Sequence, residues 1–170
     1  MRERQALLTA AIEDSGIALV PCECGRGSSR HVIDEFFATL DSDPGRLLGQ
    51  GWMDGHAVNS SFRYRSAPAV AEILMAALPF YVTGLRREVL LESLLDLSGG
   101  DTDDLVESCQ DMIRPGVWTF LEEIASGRSA GSASYAFDII LALDEDDWVQ
   151  FAREQLADFL PAAQLAPDYA

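Results

Sequence analysis

Apolar residues return along this chain at the spacing of three and four that an amphipathic helix requires. The densest stretch is residues 66–99, SAPAVAEILMAALPFYVTGLRREVLLESLLDLSG. Val70, Ile73, Leu74, Ala77 and Leu78 line one helical face. Ser66 offers a capping hydroxyl, and Pro68 sits in the first turn, where its missing N–H costs nothing. Pro79 closes that helix, and Thr83 is the expected cap of the next. Val89, Leu90, Leu91, Leu94, Leu95 and Leu97 are apolar over more than one stripe, so the second helix is expected at the centre with neighbours on both sides.

The same period predicts helices elsewhere. Residues 2–14 form the first, stopped near Gly16. Ile33, Phe36, Phe37 and Leu40 mark a second, capped by Ser28 or Ser29 and ended by Asp43-Pro44-Gly45. Leu105, Val106, Cys109, Met112 and Ile113 face inward on a helix begun by Asp101 or Thr102. Pro115-Gly116 interrupts it, and Val117, Phe120, Leu121 and Ile124 continue the face to Gly127. Ser132 or Ser134 opens the next helix, with Ala136, Ile139, Ile140 and Leu143 inward. Asp144 is the expected cap of the last, which uses Val149, Ala152, Leu156, Phe159 and Leu160. Residues 46–65 lose the pattern and read as a long loop, while 162–170 read as a frayed tail. No segment alternates as a strand. Seven or eight helices over residues 1–161 give one all-α domain, and side-by-side antiparallel pairs suggest a short α-solenoid of the HEAT or armadillo kind.

Charge sharpens the picture. The 170 residues carry a net charge of −16, and all 12 bases are arginine. Residues 1–87 hold 10 acids and 9 arginines, whereas 88–170 hold 18 acids and 3 arginines. An acidic half repels nucleic acid and anionic membrane and steers a basic protein. Asp101, Asp103, Asp104 and Glu107, with Asp144, Glu145, Asp146 and Asp147, are the expected docking residues. Trp52, Arg63, Tyr64 and Arg65 in the long loop are residue types of interface hot spots and complete the partner-binding set. Trp118 and Trp148 fall in helices and are expected in the core or partly buried. The N-terminus lacks the apolar centre of a signal peptide, and the longest apolar run, 73–82, is too short to span a bilayer, so a cytoplasmic location is expected.

Candidate chemistry is sparse. Cys22-Glu23-Cys24 and His31 supply three soft ligands, for which His56 or Cys109 would have to arrive from elsewhere. That spacing matches no recognised metal framework, and no metal or cofactor is assigned. Gly25-Arg26-Gly27-Ser28-Ser29 lacks the lysine and spacing of a P-loop. Asp54, His56, Asn59, Ser60 and Ser61 include the residue types of a triad, but a triad is defined by geometry. No catalytic residue is assigned.

The segments LLGQGWMDGHAV, SAPAVAEILMAAL, REVLLESLLDLSGG and DDLVESCQDMIRPGVWTFLEEI resemble HEAT-repeat-like proteins of actinobacteria, a likeness covering roughly residues 30–160. The resemblance implies an α-solenoid binding scaffold with no catalytic residues. CECGRGSS and the small number of repeats depart from it. The expected function is therefore a non-catalytic protein-binding module, as in inhibitors or immunity partners of basic toxins. The alternatives are a HEAT-like DNA-base glycosylase and a small metal-dependent enzyme using the Cys22/Cys24 loop.

Overall fold

The computed structural model describes residues 2–59, 62–100, 104–166 and 169. Among them are eight α-helices: α1 (Arg2–Asp14), α2 (Arg30–Ser42), α3 (Ala67–Ala77), α4 (Leu85–Ser98), α5 (Asp104–Ile113), α6 (Val117–Ala125), α7 (Ala130–Ala142) and α8 (Asp146–Gln155). Short 3-10 turns follow α1, α3 and α5. The chain is all-α in class and built of packed helix pairs. One small departure is an antiparallel ribbon, β1 (Val58–Asn59) and β2 (Phe62–Arg63), within the segment expected to be irregular. Two residues per strand are too few to show alternation in sequence.

Helix α4 lies at the centre. Val89, Leu90, Leu91, Leu94 and Leu97 are completely buried, and the helix packs against α2, α3, α5 and α7. Its many-sided apolar surface is matched by neighbours on several sides. Helix α3 packs on α1 and α5, and α7 packs on α6 and α8, so one core runs through the domain.

The helix ends depend on arginine. Arg86 donates to the carbonyls of Leu40 and Asp41 at the end of α2. Arg63, almost fully buried, donates to Asp96, Leu97 and Gly99 at the end of α4. Arg114 donates to Leu143 just beyond α7. The last carbonyls of a helix lack intrahelical partners and carry partial negative charge, so a guanidinium satisfies both needs.

Four expected caps are replaced. Ser66 stands at the α3 N-cap position, but its hydroxyl donates to the His56 carbonyl at 2.7 Å instead of capping. Gly84, not Thr83, precedes α4, at φ 71°, a conformation that glycine adopts without a Cβ clash. Asp144 has φ 57° and ends α7 in the left-handed position, so Glu145 takes the N-cap place of α8. Helix α7 is capped by Ser129 rather than Ser132 or Ser134, with the Ser129 side chain accepting from the Ser132 N–H. Ser129→Ala is expected to destabilise the domain by about 1 kcal/mol, measured by urea denaturation.

The segment after Pro161 is pinned where it is described. Gln164 is buried and donates to Ser134 and Asp138, Tyr169 donates to Asp138, and Arg153 donates to the carbonyls of Gln164 and Tyr169. Fraying was expected because the sequence does not reveal these distant acceptors.

Candidate metal centre

Two loops meet beside the start of α2. In the first, Val20 and Pro21 pair back onto Ser28 and Ser29, with Ser29 N–H donating to the Val20 carbonyl at 2.8 Å. Gly25 and Gly27 have φ of 80° and 83°, which lets the chain turn tightly between Cys22 and α2. The Cys22 N–H closes the turn on the Gly27 carbonyl at 2.9 Å. Residues 22–28 form a folded knuckle presenting Cys22 and Cys24 toward His31 in the first turn of α2.

The second loop belongs to residues 46–65. Trp52 stacks on Phe36 with ring centroids 4.1 Å apart and donates its indole N–H to Ser93 on α4. Gly49 N–H donates to Glu92, and Arg63 is anchored at the end of α4. These contacts hold the loop against α2 and α4. His56 is thereby carried to the knuckle, with its carbonyl fixed by Ser66.

The ligand atoms of Cys22, Cys24, His31 and His56 all lie within 4.8 Å of one another. Cys22 Sγ is 3.3 Å from His56 Nδ1 and 3.9 Å from His31 Nε2, and Cys24 Sγ is 3.5 Å from His31 Nε2. Tetrahedral zinc, with bonds of about 2.3 Å to sulfur and about 2.0–2.1 Å to nitrogen, separates such ligand atoms by about 3.3–3.8 Å. The observed spacings bracket that range.

The surroundings prepare the ligands. His31 Nδ1 lies 2.7 Å from the Ser28 carbonyl. Donation there places the proton on Nδ1 and leaves the Nε2 lone pair aimed at the cysteines, the arrangement that orients a metal-ligating imidazole. Burial lowers the pKa of His56, and the charges of His31 and Arg26 lower it further, so its neutral, ligating form is favoured. The Arg26 backbone N–H faces Cys24 and lowers its pKa. Burial raises the pKa of Cys22, against the Cys24 N–H and the Ser29 hydroxyl, which favour its thiolate. That hydroxyl is fully buried and has no other hydrogen-bond acceptor, so a metal-bound thiolate gives it one.

The donor set itself selects a metal. Two thiolates and two imidazoles in tetrahedral array suit zinc. Four protein ligands leave no open position for water or substrate, as in a structural rather than a hydrolytic site. A Cys22–His56 nucleophile pair fits less well, because Cys22 is buried with a raised pKa and an active thiol needs the reverse.

The residues expected to bind a partner are dispersed. Arg63 caps α4 and Trp52 packs beneath its loop, so neither presents its polar group outward. Tyr64 is half-buried and accepts from Asn59, whereas Arg65 is exposed. Asp104 and Glu107 are exposed at the start of α5. Arg114, just past the far end of α5, pairs with Glu145, which puts the Asp144–Asp147 corner at the other end of that helix. Asp144, Asp146 and Asp147 are exposed there. Asp101, Asp103, Ser60 and Ser61 lie outside the described residues.

His56 completes the centre from 34 residues beyond Cys22, and the spacing alone could not show this. The only signal was a C-x-C beside a histidine with a second histidine in an unexplained loop. Comparison with family models, with curated proteins and with solved structures gives no match, so the centre is read from its own geometry.

Proposed function

We propose that this chain is a zinc-stapled, non-catalytic helical protein, with Cys22, Cys24, His31 and His56 as the four ligands. The observation that carries the reading is the convergence of four ligand atoms within 4.8 Å of one another, with His31 Nδ1 donating to the Ser28 carbonyl so that Nε2 is free to ligate. Zinc there ties the segment ahead of α2 to the loop carrying His56, and so braces both against α4. Elemental analysis of the purified protein tests this, together with cobalt replacement read through the absorption of tetrahedral, thiolate-bound Co2+. About one metal per chain and a charge-transfer band support the reading. Metal-free protein that neither takes up zinc nor gives that spectrum overturns it.

For the helical body, the reading is a HEAT-like scaffold that binds a basic protein, as an inhibitor or immunity partner does. Its support is charge: 18 acids against 3 arginines over residues 88–170. The arginines at helix ends also weigh against a glycosylase-like DNA surface, because their donors are committed to backbone carbonyls. Reversing Asp144, Glu145, Asp146 and Asp147 to lysine is expected to weaken capture of a basic partner. Raising the salt concentration is expected to do the same. Capture insensitive to both, in a salt titration, removes the electrostatic basis of this reading.

A further inference from the structure

The exposed face of α6 and α8 carries an aromatic cluster that the core does not use. Trp118, expected to be buried at least in part, is 64% exposed. Its ring meets Trp148 edge-on at 4.6 Å, and Trp148 meets Phe151 at 6.0 Å. Phe151 is also exposed. Scattered apolar side chains on a surface need no explanation, but three aromatic rings in contact form a patch of the kind that anchors a partner.

Acidic residues rim the patch. Glu122 follows Trp118 by one helical turn. Asp147 precedes Phe151 by one turn, Asp144 stands at the corner just ahead of α8, and all three acids are exposed. The arginines beside these two helices in sequence are engaged elsewhere. Arg114 is held by Glu145 and the Leu143 carbonyl, and Arg153 turns toward Gln164, Tyr169 and the Phe137 ring. Among the described residues no ion pair reaches Glu122, Asp144 or Asp147.

We propose that this face docks an arginine- or lysine-rich segment of a partner protein, its cations over Trp118 and Trp148 and its flanks against the acidic rim. The proposal rests on the binding-scaffold reading above and names its surface. Cations are drawn to the electron-rich faces of tryptophan, and the neighbouring carboxylates add attraction from a distance. A second copy of this chain is the weaker candidate, since two surfaces within a chain of net charge −16 repel.

The test uses the full, zinc-loaded chain and two synthetic helical peptides, one of arginine and leucine and one of glutamate and leucine, followed by calorimetry at low and high salt. The basic peptide is expected to bind and the acidic peptide is not. Trp118→Ala is expected to weaken binding about tenfold or more, and Glu122→Gln with Asp147→Asn to flatten the salt dependence. Glu13→Gln with Asp14→Asn, both exposed on α1, is expected to leave affinity unchanged. Zinc content and circular dichroism verify that each variant is folded. Basic-peptide binding that survives Trp118→Ala overturns this surface but leaves the scaffold reading standing. Absence of binding to wild type overturns both. Self-association abolished by Trp118→Ala makes the face a contact between copies and overturns the basic partner.

Discussion

Cys22→Ser is expected to lower bound zinc from about one equivalent per chain to a small residue, and His56→Ala to do the same from 34 positions away. Loss from both variants is what a single shared centre requires. The helical core does not run through the ligands, so far-UV circular dichroism should stay largely native while the two loops loosen. Holo protein is stabilised in proportion to the logarithm of free zinc over its dissociation constant, about 4 kcal/mol at a thousandfold excess. Chelation should therefore lower Tm in wild type and leave Cys22→Ser unchanged. Protease cleavage within residues 17–31 and 46–65 should rise alongside.

Acid should act in the same direction. His56 has a folded-state pKa below its ordinary value, so the unfolded chain binds the proton more readily. The stability this contributes is present above about pH 6.5 and is lost as pH falls through the lower folded value. Zinc release on acidification adds to the loss, because both imidazoles and both thiolates exchange metal for protons. A zinc-binding titration from pH 7.5 downward should show affinity falling steadily. Affinity unchanged below pH 6 would count against histidine ligation.

Glu123→Ala is expected to cost about 3–5 kcal/mol, a Tm decrease on the order of 10 °C in a chain of this size. Glu123 and Arg87 are both buried and lie 2.9 Å apart, and Arg128 reaches the same carboxylate oxygen. Burial pulls the Arg87 pKa down while Glu123 holds it up, so losing the carboxylate strands a cation in the core. Arg87 also donates to the Leu78 carbonyl, which joins α4 to the turn after α3 as well as to α6. The cost comes mainly from the stranded charge, not from the attraction that is lost. Replacing both partners, Arg87→Met with Glu123→Leu, is accordingly expected to restore most of the stability. Thermal denaturation of the three proteins separates the cases, and a double variant no more stable than Glu123→Ala would contradict the assignment.

These effects also mark where sequence reading succeeds and fails. The faces built on Ile33, Phe36 and Leu40, on Val70, Ile73 and Leu74, and on Ile139 and Ile140 are buried as their spacing requires. Local propensity is informative there because burial and periodicity agree. It failed at Ser66, Thr83 and Asp144, which have good capping side chains, because a distant carbonyl or a backbone turn decided their conformation. It failed for Arg63 and Trp118 in opposite ways. A charged residue expected at an interface closes a helix end, and an aromatic expected in the core or partly buried is mostly exposed.

The sequence alone determined the helical class, the central place of residues 86–97, and the uneven charge of the two halves. Each depends on properties summed over neighbouring positions. Tertiary structure decided the cluster of Cys22, Cys24, His31 and His56, the buried Arg87–Glu123 pair and the aromatic face, because each joins residues far apart in the chain. His56 reaches Cys22 only because Trp52, Gly49 and Arg63 bind their loop to α2 and α4. No local pattern encodes that closure, since its energy lies in contacts that form only once the helices have packed.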